Sequence, residues 1–408
     1  DETNPSSYLQ NHTQTEVIID RAASAELTRI ATPWLTGPCA WTEELTRKAV
    51  FWLCRHLDKP ILKLTARDYN DNGMSDLITE RGPFSKINID TFNFLQHSIT
   101  GWPGGKPNAD DSTRPERALP YPKRVIVFSP HPDDDVISMG GTVARLSDQG
   151  HVLHIAYHTS GNIAVFDHEV TRFLDFLQEI SPVYGLDREK TKAIFEQARK
   201  DMASKKPGEP DTPAIRQVKT MIRRGEAKSA CDYLGIEPGN VHFLEMPFYE
   251  TGGVKKKALS DEDIRIICDL LEKVKPHQIF AAGDLSDPHG THRVCYMAIL
   301  EALEQLKDRP WMKDCRLWLY RGAWQEWDVA DVDMAVPLSP EEVVIKRNAI
   351  FRHQSQKDPA MFPGNDPREF WRRAEERNHN TAVLYDKLGM AEYQAIELFR
   401  LYRKGMKI

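Results

Sequence analysis

RVIVFSPHPDDDVISMGG, Arg124 to Gly141, begins as an uninterrupted apolar run and then places a histidine and three consecutive aspartates in a short loop. An apolar run such as RVIVF is the kind buried on both faces of a parallel sheet. The residues after the aspartates, up to Gly150, read as a helix, and VLHIAYHTSG reads as a second strand. Strand, loop, helix and strand in that order open an α/β sheet. Ligands of such sheets bind beyond the C-terminal ends of the strands, so chemistry is expected in the aspartate loop.

Three adjacent carboxylates repel one another unless something offsets their charge. His131 and Asp134 are three residues apart, a spacing that brings side chains to one face of a turn. A divalent cation held by both would compensate the charge, as would the positive end of a helix starting near Val136. Asp133, between them, points elsewhere and is free to handle a proton. The plainer alternative is that Asp133 to Asp135 only cap a helix at the surface. The order His-Pro-Asp-Asp directly after a buried strand favours the metal.

A metal site needs a third protein ligand, and catalytic zinc usually keeps a fourth position for water. GDLSDPHGTHRVCY, Gly283 to Tyr296, also follows an apolar strand candidate, HQIFAAG. Its His289 and His292 repeat the spacing of three, so that one can bind metal while the other faces a substrate. His151, His154 and His158 lie on or beside the second strand and read as satisfied core or rim groups.

Elsewhere, NVHFLEM is a further strand candidate, and SDEDIRIICDLLEKV reads as a helix capped by Ser260. Residues 165 to 235 read as mainly helical, and residues 41 to 57 as an amphipathic helix. Proline and glycine crowd the stretch 101–122, which suggests a linker. The expected organisation is an N-terminal region 1–100, that linker, and a larger domain 123–408. The 408 residues are 40% hydrophobic with a net charge of −6. That composition is globular and speaks against nucleic acid or an anionic membrane as partner. No apolar run approaches the roughly 20 residues a bilayer span needs. Six cysteines (Cys39, Cys54, Cys231, Cys268, Cys295, Cys315) form no CxxC pair. We therefore expect buried thiols and a reducing, cytoplasmic location. The abrupt start at Asp1 leads us to expect a piece of a longer protein.

From Arg124 onward, over residues about 123 to 357, the chain resembles the PIG-L/LmbE family of zinc-dependent de-N-acetylases. The resemblance rests on strand-HPDD, the turn His158-Thr159-Ser160-Gly161, and Arg223-Arg224-Gly225-Glu226 followed by ACDYLGI. It rests also on the strand-DPHGTH segment and on KRNAIFRHQSQ near the end. It implies that His131, Asp134 and His292 bind Zn2+, with Fe2+ as the alternative metal. It implies that Asp133 is the general base and that His289 steadies the developing oxyanion. Arg223, with Ser160 and Gly161, would bind the substrate. Two positions depart from the family pattern. Thr291 stands where an aspartate often orients the neighbouring histidine, with Asp287 or Asp284 as stand-ins, and Asp135 replaces the usual glutamate. The fold expected is α/β, Rossmann-like, a mostly parallel sheet flanked by helices with an N-terminal, mainly helical extension.

The stretch Asn4 to Trp34 resembles the last segment of a glucosamine-6-phosphate deaminase. An upstream deaminase domain is therefore expected as a partner in the same polypeptide, and a homo-oligomer as the assembly. The function implied is removal of the acetyl group from a small amino-sugar substrate, an N-acetylglucosamine derivative such as the 6-phosphate. The rival is a non-catalytic LmbE-like module that stabilises or oligomerises an attached deaminase. A third reading, the iron triad of 2-oxoglutarate oxygenases, conflicts with the strand–helix alternation, since those sites sit on β-jellyrolls.

Overall fold

The computed structural model describes residues 3–20, 23–108, 117, 119–206, 208–253, 255–285, 290–322, 325–357 and 368–406. Of the expected linker 101–122, residues 109–116 and 118 lie outside the described residues. The chain forms two compact units, Asp1–Phe94 with Lys387–Gly389, and Leu95–Asp386 with Met390–Ile408. The first carries α1 (Thr28–Ala31), α2 (Glu43–Leu57), α3 (Ala66–Asp71), α4 (Ser75–Arg81) and most of α5 (Phe84–Ser98). Thr42 caps α2 by accepting from the Leu45 N–H at 3.1 Å, and the helix buries Ala49, Val50, Leu53 and Cys54. Such a cap satisfies one of the four N–H groups that a helix start leaves without partners.

The second unit is built on a mixed seven-stranded sheet in the order β3-β2-β1-β4-β5-β7-β6. Its strands are β1 (Arg124–Ser129), β2 (Val152–Tyr157), β3 (Val241–Phe243), β4 (Gln278–Ala282), β5 (Arg316–Tyr320), β6 (Met334–Leu338) and β7 (Ala395–Leu401). Strands β1 to β5 pair in parallel, whereas β7 runs antiparallel to both β5 and β6. Helices α6 (Asp134–Asp148), α7 (Asp167–Ile180), α8 (Arg188–Ser204), α9 (Pro213–Tyr233), α10 (Asp261–Val274), α11 (Thr291–Gln305), α12 (Pro340–Ile350) and α13 (Phe370–Lys387) accompany it. Val125 and Val127 are fully buried, as are their neighbours Ile126 and Phe128, so β1 is covered on both faces. The chain leaves β1 outward to β2 and β3 and then crosses back to β4. The order therefore reverses between β1 and β4, which pair at Val125–Gln278 and Val127–Phe280. That reversal sets the loops after β1 and β4 side by side.

Ser260 caps α10 in a reciprocal box with Asp263, as its sequence position suggests. No helix among the described residues is long and apolar enough to cross a membrane. Among the described residues the six cysteines form no disulfide.

Helix α6 carries two of the three aspartates and is broken at Met139, whose φ of −140° and ψ of 26° are not helical. Behind the break, Gly141 and Thr142 donate their backbone N–H groups to Glu397 of β7 at 3.2 and 2.7 Å. Lys346 of α12 donates to the same carboxylate at 2.6 Å, to Asn378 at 2.8 Å, and to the Ser138 carbonyl at 3.4 Å. Glu397 and Lys346 are each 1% exposed. This buried pair supplies the partners that the interrupted ladder lacks. A Cβ at Gly141 would lie 2.5 Å from a terminal methyl of Leu338, so any larger residue there must displace that side chain.

Removing one member of a buried pair leaves the other charge stranded. Lys346→Met is therefore expected to lower unfolding free energy by about 3–5 kcal/mol. Denaturant unfolding measures it, with the double variant Lys346→Met/Glu397→Gln recovering part of the loss.

Candidate metal centre and active site

The end of β1 delivers His131, and the first residues of α6 deliver Asp134 and Asp135. Asp134 folds back on the loop: its Oδ2 accepts from the His131 backbone N–H at 2.9 Å and lies 3.1 Å from His131 Nδ1. His292, the second residue of α11, brings its Nε2 to 3.2 Å from the same oxygen. The three ligand atoms lie within 4.8 Å of one another. Burial alone would raise the Asp134 pKa, but His292 and His131 hold it well below the usual carboxylate range. An ionised carboxylate facing two imidazoles is a donor set that suits zinc with an open position. It equally suits ferrous iron.

Asp133 is 7% exposed and turns away from this cluster to Arg223 of α9, whose Nη2 is 3.2 Å from its carboxylate. Arg223 is itself buried, and its Nη1 lies 3.9 Å from Glu226. Glu226 in turn accepts from the Ser355 N–H at 2.6 Å and the Ser355 hydroxyl at 2.7 Å. Gly161 sits above the guanidinium in a left-handed conformation, φ +63°, where a Cβ would be 3.1 Å from Arg223 Nε. Ser160 donates its N–H and hydroxyl to Glu250 at 2.8 and 3.0 Å. Of the three residues expected to bind substrate, Arg223 reaches Asp133 and Gly161 lies against Arg223, while Ser160 turns to Glu250. In this structure their polar groups brace carboxylates: Arg223 pairs with Asp133, and Ser160 with Glu250.

Asp135 takes a third direction. Tyr157 donates its hydroxyl to Oδ2 at 3.0 Å, and Ser129 Oγ lies 3.2 Å from Oδ1. Burial pushes the Asp135 pKa up to about 7, the Tyr157 hydrogen bond opposes the rise, and the charge of Asp133 adds to it.

Sequence reasoning also left several neighbours unread. The Tyr249 ring stands edge-on to His131 at 6.0 Å. Lys256 lies 5.5 Å over the Tyr249 ring and donates to the Thr291 hydroxyl. An aspartate placed at 291 would therefore meet this lysine. His353 is buried, and neither ring nitrogen has a hydrogen-bond partner among the described residues. Tyr249 and Lys256 come from an irregular segment whose sequence has no period that could have flagged them. His151 accepts from the Lys123 N–H at 3.0 Å, and His154 pairs with His242 at 3.1 Å. His158 is buried against Phe128, and burial pushes its pKa down to about 4. Asp284 is fully buried just beyond β4. His289 and Asp287 lie outside the described residues.

Residues 126–303 match the family described as PIG-L: GlcNAc-PI de-N-acetylase, so that stretch carries a PIG-L domain. The chain is 54% identical over 404 residues, 98% of its length, to a putative glucosamine-6-phosphate deaminase-like protein of Bacteroides thetaiotaomicron. It is 24% identical over 194 residues, 46% of its length, to a probable N-acetyl-alpha-D-glucosaminyl L-malate deacetylase 2 of Bacillus cereus. These matches span 61% and 65% of the two relatives' own lengths. Among solved structures, N,N'-diacetylchitobiose deacetylase from Pyrococcus horikoshii is similar at a TM-score of 0.44 and 18% identity. That match covers 72% of this chain and 89% of the other. GalB, the 4-carboxy-2-hydroxymuconate hydratase of Pseudomonas putida KT2440, is similar at 0.43 and 17%, over 70% and 98%.

A cation that binds only the folded chain stabilises it by mass action. Zinc at a hundred times its dissociation constant is expected to add about 2.7 kcal/mol to unfolding. Thermal unfolding with and without metal checks this, and Asp134→Asn should abolish the gain.

Proposed function

We propose that the chain is a metal-dependent hydrolase that removes the acetyl group from an N-acetylglucosamine derivative, with N-acetylglucosamine 6-phosphate the favoured substrate. One observation carries the reading. Of the three aspartates, Asp134 joins the two histidines, Asp135 is locked to Tyr157 and Ser129, and Asp133 stands beside the cluster on Arg223. That division leaves one carboxylate for proton transfer next to a set of metal ligands.

A divalent metal held by His131, Asp134 and His292 would supply Lewis acidity, polarising the amide carbonyl and making water a stronger acid. Asp133 takes a proton from the attacking water as its oxygen bonds to the carbonyl carbon. The C–N bond then breaks, and Asp133 returns the proton to the leaving amine, so that acetate and a free amino sugar depart. Arg223 keeps the Asp133 carboxylate in one orientation throughout, since its own position is fixed by Glu226 and Gly161. His289, assigned by resemblance, steadies the negative charge on the carbonyl oxygen.

The amino-sugar substrate is supported by what the two relatives are named for, glucosamine-6-phosphate deamination and deacetylation of an N-acetylglucosaminyl compound. Deacetylating N-acetylglucosamine 6-phosphate yields the substrate of a glucosamine-6-phosphate deaminase, which makes an attached deaminase chemically sensible. We place the protein in the cytoplasm, working as a homo-oligomer on a small molecule, without nucleic acid or membrane as partner. A non-catalytic module would have no use for the His131–Asp134–His292 convergence.

Asp133→Asn is expected to keep its metal while turnover falls roughly 10²–10⁴-fold, because an amide cannot accept the water's proton. Metal content and acetate release from phosphorylated and unphosphorylated N-acetyl sugars, measured on one preparation, check both halves. Near-native turnover would remove Asp133 from the mechanism.

A further inference from the structure

Beside Asp133 the fold leaves a cavity of about 10 Å³, walled by Ile137 of α6, Ile350 and Phe351 at the end of α12, and Phe370 and Trp371 at the start of α13, with the polar side chains of His353, Gln356, Lys357 and Glu369 completing its lining. A volume of that size holds one water-sized group. Ile137 and Ile350 belong to the main hydrophobic core, with Phe370 and Trp371 packed against it. Ile137 and Ile350, held in that core, do not step back for an extra methylene without strain. Apart from Asp133 and Ile137, the lining residues lie beyond residue 303, outside the matched family stretch.

The chemistry says which part of a substrate meets this recess. A general base sits within hydrogen-bond reach of the attacking water, and that water sits about 3–3.5 Å from the carbonyl carbon. The acyl substituent is one bond from that carbon, whereas the sugar is attached through the nitrogen and leaves on the other side. We propose that the recess beside Asp133 receives the acyl methyl group, and that Ile137, Ile350 and Trp371 restrict the group removed to acetyl. This rests on the hydrolase reading above and adds the acyl specificity to it. A methyl fills the space a water would take. A propionyl or butyryl chain must push into the core.

The test is kcat/KM of the metal-loaded protein for N-acetyl-, N-propionyl- and N-butyrylglucosamine, with and without a 6-phosphate. Each added methylene is expected to lower kcat/KM roughly 10–200-fold. Ile350→Val and Ile350→Ala should raise the propionyl-to-acetyl and butyryl-to-acetyl ratios, Ala more than Val. A ratio is unaffected by the fraction of protein that folds, and Val is a mild change if Ala proves damaging. Acetyl turnover with equal butyryl turnover in the unaltered protein would overturn the recess while leaving the hydrolase standing. So would ratios that stay flat in both variants. Absence of hydrolysis across the whole series, acetyl included, would overturn the hydrolase reading and the recess with it.

Discussion

Asp133, Asp134 and Asp135 occupy consecutive positions at the mouth of a buried strand, and no single partner can neutralise all three. Like charges this close raise one another's pKa and oppose folding unless each finds its own compensation. The fold separates them. Asp133 goes to Arg223, Asp134 to His131 and His292, and Asp135 to Tyr157 and Ser129. Each partner comes from a different element, so α9, α11 and β2 must all be in place before the loop is stable. The same separation gives the carboxylates different surroundings: Asp134 faces two imidazoles, Asp133 a buried guanidinium, and Asp135 the hydroxyls of Tyr157 and Ser129.

The sheet order makes this arrangement reachable. Because the strand sequence reverses between β1 and β4, the loop bearing His131 and the helix bearing His292 meet despite their distance in sequence. The C-terminal part then supports the site from behind. Glu397 of β7 and Lys346 of α12 hold the interrupted α6, and Ser355 anchors the Glu226 that faces Arg223. Residues well past the family match therefore hold the second half of α6 and the Glu226–Arg223 pair that faces Asp133. They do so through buried ion pairs, where the loss of one partner is costly.

Much of this was legible in the sequence because local chemistry dictates it. RVIVFS, VLHIAY and QIFAA are apolar runs that only a covered sheet accommodates, and Ser260 with Asp263 is a capping pair readable by eye. The spacing of His131 and Asp134 marked a candidate pair and left His289 or His292 open as the third group; the family resemblance singled out His292, which the structure brings beside the other two. The antiparallel end of the sheet was not legible. The strand β7 carries a buried Glu397 in its centre, which breaks the apolar pattern, and its need for Lys346 and the α6 backbone arises only in three dimensions. The same holds for Arg223: its motif marks it as important, but only the packing shows its guanidinium enclosed against Asp133. Lys256 and Tyr249 reach the site from an irregular segment by tertiary contact alone.

The claim on which the rest depends is that His131, Asp134 and His292 hold one metal ion. X-ray absorption at the metal edge, on protein loaded with one equivalent of zinc, measures the ligand shell directly. The account predicts two imidazole nitrogens and a carboxylate oxygen at about 2.0–2.2 Å with a further position left for water. The His292→Ala protein should lose one imidazole from that shell. A shell of four protein ligands, one containing sulfur, or a spectrum unchanged in His292→Ala would contradict it.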